Sequence, residues 1–117
     1  MKKIIVIIFL SLFQMVAHAN PNLPFIGYRE FNFLGGNGTE MFIRIKPNGN
    51  TTIVMCGSAA SGSLCGTVYK GSYERSGYKI IGEKIYDTDP SCREYDACES
   101  DLYDVEPSVI KYVFKHR

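Results

Sequence analysis

Residues 40–46 alternate with a period of two. Met41, Ile43 and Ile45 fall on one side of an extended chain, and Glu40, Arg44 and Lys46 fall on the other. Phe42 is the one apolar residue on the polar side. This period predicts a strand with one buried face. Pro47-Asn48-Gly49-Asn50 follows, a fixed φ and then residues that tolerate positive φ, so the chain turns back as a hairpin. Thr51 to Cys56 forms the return strand, and its run Ile53-Val54-Met55 predicts cover on both faces.

The same alternation of strand and turn extends through most of the chain. Phe25 to Phe33 is rich in aromatics and runs into the turn cluster Gly35-Gly36-Asn37-Gly38. Thr67 to Glu74 reads as a strand in which Gly71 permits a bend. Tyr78–Ile81 and Lys84–Thr88 read as a hairpin about Gly82-Glu83. Asp89 to Glu106 breaks the pattern as an acidic loop, with one short helix after the start signal Asp89-Pro90-Ser91. Ser108 to His116 reads as a closing strand with Ile110, Tyr112 and Phe114 on one face. Six or seven short strands with little helical periodicity predict an all-β fold, an antiparallel sandwich or small barrel.

The first nineteen residues read differently. Lys2 and Lys3 precede an apolar run, Ile4 to Phe13, and Ala17-His18-Ala19 is the small-x-small pattern that a signal peptidase cuts after. Residues 1–19 are therefore expected to be a cleaved signal peptide, and residues 20–117 a single domain without a membrane anchor, periplasmic or secreted. The four cysteines, all beyond position 50, then reach a compartment where disulfides persist. Four cysteines allow three pairings. Cys56–Cys65 and Cys92–Cys98 are favoured, because each encloses a short irregular segment flanked by strands. Neither pair has zinc-site or redox-motif spacing, and the one histidine beyond the leader is His116.

Charge and residue types narrow the function. Without the leader the chain has 11 basic and 12 acidic residues, which argues against a nucleic-acid partner. Nine of the twelve acids lie between Glu83 and Glu106. A catalytic His relay is unsupported when His116 lies so near the terminus. Ser108-Val109-Ile110-Lys111 matches Ser-x-x-Lys, but on a strand those side chains point to opposite sides. Asp87-x-Asp89 begins like a calcium loop, yet the sixth and twelfth places hold Cys92 and Cys98. No cofactor, metal or catalytic residue is assigned. Asn37-Gly38-Thr39 and Asn50-Thr51-Thr52 fit the glycosylation pattern and are read as turns.

The Cys56–Cys65 loop and the acidic Asp87–Glu106 segment, tied by Cys92–Cys98, are the leading binding surfaces. Tyr95, Asp96, Glu99, Asp101 and Tyr103 are the acidic segment's candidate contact residues for a basic protein partner. Ala60-Ser61-Gly62 followed by Tyr69-Lys70-Gly71 resembles two segments of the periplasmic inhibitors of c-type lysozyme. The resemblance covers about a dozen residues and departs in cysteine placement and spacing. It implies a small β-barrel with Ser61 and Lys70 as contacts to the enzyme. The expected function is a non-enzymatic binding protein, such as an inhibitor or immunity factor. The alternatives are an envelope assembly subunit that pairs through open edge strands, the first or last in sequence, or a small calcium- or carboxylate-dependent enzyme.

Overall fold

Two antiparallel sheets face each other, joined through one apolar layer. The computed structural model describes residues 22–33, 39–57 and 64–117. The strands are β1 (Gly27–Phe31), β2 (Glu40–Ile45), β3 (Asn50–Cys56), β4 (Cys65–Ser72), β5 (Tyr78–Ile81), β6 (Lys84–Asp87), β7 (Glu99–Asp101) and β8 (Tyr103–Asp104). The first sheet runs β4-β3-β2-β1-β8 and the second β5-β6-β7. Both are open, so the fold is a sandwich and not a closed barrel. The proposed signal peptide and the turn cluster at Gly35–Gly38 lie outside the described residues.

β2 and β3 form the predicted hairpin, with Glu40 opposite Cys56 and Ile45 opposite Thr51. Gly49 takes the positive φ of 89° that closes it. The alternation works as expected on one face, where Ile43, Ile45 and Ile53 pack with Phe31 and with Ile85 from the second sheet. On β4 the register shifts by a bulge at Val68, opposite the Ile53–Val54 step. Gly71 is also needed for space. A Cβ there would lie 2.8 Å from the Tyr69 hydroxyl.

The C-terminal segment corrects the sequence reading. Residues Pro107–Val113 form an α-helix, α1, and not a strand. Proline at the start of the first turn is tolerated because its missing N–H would have no helical partner. Val109, Ile110, Val113 and Phe114 then share one helical face and cover Phe42, Val54 and Cys56. Tyr112 is left exposed. This second core explains Phe42: its side of β2 is also buried, by a helix that strand periodicity did not reveal. Ser108 and Lys111 thus share a helix after all, three residues apart. Both are exposed on the surface.

The acidic segment is likewise not a free loop. Asp89 caps a 3₁₀ turn, Pro90–Tyr95, by accepting from the Ser91 N–H at 2.9 Å. The chain then enters both sheets, β7 pairing with β6 and β8 with β1. Leu102 alone separates β7 from β8. Three- and two-residue strands carry too little period to be read from sequence. Disulfides join Cys56 to Cys65 and Cys92 to Cys98, the expected pairing. The first links directly opposed residues of β3 and β4. Two disulfides suit an oxidising environment. No helix among the described residues is long and apolar enough to cross a membrane.

Candidate functional site: an acidic cavity between the sheets

Where the end of β1 and the start of β2 meet β6 and β7, a cavity of about 610 Å³ opens. Its walls carry Glu30, Glu40, Asp96, Glu99 and Asp101, with Lys84 as the one cation, beside Phe31, Asn32, Ser100 and Tyr103. Five acidic residues and one lysine thus border the same opening among the described residues.

Strand register sets two groups at the rim of this opening, Glu30 and Glu40 on the face of β1 and β2 that carries Phe42, and Lys84, Glu99 and Asp101 on the face of β6 and β7 away from Ile85. Glu30 pairs with Phe42, which places Glu40 diagonally across from it on the same face. Glu99 and Asp101 flank Ser100, so the alternation that buries Ser100 turns both carboxylates outward. Lys84 lies directly across from Asp101, and its Nζ reaches Asp101 at 2.9 Å and Glu99 at 2.7 Å. Asp96 sits at φ 52° just after the 3₁₀ turn, where its N–H donates back to Arg93 and Cys92. The Cys92–Cys98 bridge spans that position.

The two sides of the cavity differ electrostatically. Burial first, then the charges of Glu40 and Glu106, raises the Glu30 carboxyl above its ordinary value. The hydrogen bond from Lys84 and its charge lower Asp101. Those same contacts raise Lys84. The ammonium is thus committed to Glu99 and Asp101, and among the described residues Glu30 and Glu40 take part in no ion pair. Among the described residues, no group of three or more His, Cys, Asp or Glu side chains is arranged to hold a metal ion.

The structure brings Asp96, Glu99, Asp101 and Tyr103 together, four of the residues singled out from sequence. Tyr103 is exposed, and its hydroxyl lies 3.4 Å from Asp101 Oδ2. Tyr95 ends the 3₁₀ turn. Ser61 lies outside the described residues. Lys70 stands apart on β4, in a separate cleft with Arg44 and Lys46. Glu30, Glu40 and Lys84 were missed. The polar side of the 40–46 alternation already displayed Glu40, but its proximity to Glu30 depends on the register across residues 34–38. No protein-family model, curated protein or solved structure matches the chain.

Proposed function

We propose that this chain is an exported, non-enzymatic binding protein whose acidic cavity receives basic side chains of a protein partner. The reading rests on one observation above all: five acidic residues border one cavity, and the single lysine among its described lining residues is already committed to Glu99 and Asp101. Concentrated charge of one sign steers a basic partner and speeds encounter. Strand pairing on both walls and the nearby disulfide hold the groups in place, which lowers the ordering cost of binding. An inhibitor or immunity factor acting on a basic cell-wall hydrolase fits this chemistry. In that version Lys70 and Ser61 also touch the enzyme, which Lys70→Glu tests directly.

The assembly-subunit alternative has less support. The long open edge of the first sheet, β4, carries a bulge at Val68 and a lysine at position 70, two devices that discourage strand addition.

Isothermal titration against c-type lysozymes and basic envelope hydrolases tests the binding role. The expected result is a dissociation constant of roughly micromolar or tighter that weakens as salt is added. Absence of salt-sensitive heat with every basic partner defeats the proposal. Export is tested separately by intact-mass analysis of the secreted or periplasmic fraction, where Asn20 is the expected first residue.

A further inference from the structure

At the other end of β2 the charge reverses. Arg44, Thr52 and Lys70 stand in register across β2, β3 and β4, so all three side chains leave the same face of the sheet. Adjacent strands lie about 4.8 Å apart, which puts the backbones of Arg44 and Lys70 about 10 Å apart. Lys46 follows two residues after Arg44 and lines the same cleft of about 310 Å³, with Asn50 beside it. Among the described residues, no Asp or Glu lines this cleft. Among the described residues, none of the three cations pairs with an Asp or Glu side chain.

We propose that Arg44, Lys46 and Lys70 bind a phosphate group, at a site separate from the acidic cavity. Arg44 is set in place before any ligand arrives. Its guanidinium lies over the Phe114 ring, 5.4 Å from the centroid, and Nη2 donates to Thr52 Oγ1 at 3.1 Å and to the Arg117 main-chain oxygen at 3.4 Å. Its Nε is buried with no partner among the described residues, so the group is under-satisfied. An anion drawn to the same guanidinium offsets part of that cost. Thr52 is 4% exposed, and its hydroxyl accepts from Arg44 while its own proton is uncommitted among the described residues. Three cations and a hydroxyl donor match the several acceptor oxygens of a phosphate group better than the two of a carboxylate.

Backbone amide NMR reads the site directly. The full chain is titrated with inorganic phosphate at constant ionic strength held by chloride. In a second arm it is sedimented with phosphatidylglycerol vesicles, against phosphatidylcholine vesicles. Saturable shifts at Arg44, Thr52 and Lys70 with free phosphate support the site and indicate a soluble phosphate ester. Sedimentation with phosphatidylglycerol alone supports it with a lipid headgroup as the source. The double variant Lys46→Gln/Lys70→Gln, changed at two exposed side chains, weakens either response by about tenfold or more. Asp101→Asn in the acidic cavity leaves it unchanged. Equal shifts with added chloride, no response in both arms, or full binding by the double variant would overturn the proposal.

Discussion

The Ser100 hydroxyl accepts a hydrogen bond from the Asn32 N–H at 3.0 Å and donates one to the Asn32 carbonyl at 2.7 Å. One small side chain on β7 thereby satisfies both main-chain groups of a residue just beyond β1, and joins the two walls of the acidic cavity. Ser100→Ala removes both bonds at once. The expected loss is about 1–3 kcal/mol, since the Asn32 groups are left partly buried without partners. Urea unfolding measures it, and an unchanged midpoint would show that water replaces the hydroxyl at no cost.

The second core makes a sharper prediction about the C-terminal segment. On a strand, Tyr112 would sit between Ile110 and Phe114 on a buried face; on α1 it is exposed while Val113 is buried. Tyr112→Ser is expected to change stability by less than about 0.5 kcal/mol. Val113→Ala is expected to cost about 2 kcal/mol, and Phe42→Ala about 3–5 kcal/mol. A reversed order for positions 112 and 113 in thermal or urea unfolding would restore the strand.

Glu30 and Asp101 line one cavity yet respond to pH in opposite senses. The folded chain holds the Glu30 proton more tightly than the unfolded chain does, because burial and neighbouring carboxylates raise it above 4.5. Its contribution to stability therefore declines as pH rises from 4.5 through the raised value. Asp101 is held below 3.8 by Lys84, so its contribution is present above that pH and lost as pH falls through the lowered value. Glu30→Gln is expected to stabilise the chain near neutral pH by less than about 1 kcal/mol, since the group is partly exposed and screened. The gain should vanish near pH 4. Unfolding midpoints across that range check both the sign and the window.

The two disulfides should separate stability from binding. Each closes a short loop worth about 2–3 kcal/mol in the chain-entropy account. Replacing Cys56 and Cys65 together by alanine is expected to lower stability, and to weaken affinity for a basic partner only where Ser61, inside that loop, touches it. Replacing Cys92 and Cys98 is expected to lower both, because that bridge spans Asp96 at the cavity rim. Calorimetry on the two double variants distinguishes them.

Much of the framework was legible because the residues concerned carry local signals. The 40–46 alternation, the Pro47–Asn50 turn and the spacing of the cysteines each act over a few residues. Residues 108–116 misled because Ile110, Tyr112 and Phe114 fit a two-residue period, while Val109, Ile110, Val113 and Phe114 fit a helical one. The decision between them belongs to Phe42 and Val54, distant residues that need a cover. The site was half legible for a similar reason. Asp96, Glu99 and Asp101 are dense in sequence, whereas Glu30, Glu40 and Lys84 come to border the same cavity only through the way the two sheets pack.

The single-residue passage at Leu102 has a mechanical consequence. Its N–H also donates to the Glu83 carbonyl at 2.7 Å, anchoring the passage to the turn between β5 and β6. A displacement of β7 at Asp101 therefore reaches the other layer through a single residue, and β7 cannot shift along its own sheet without dragging β8.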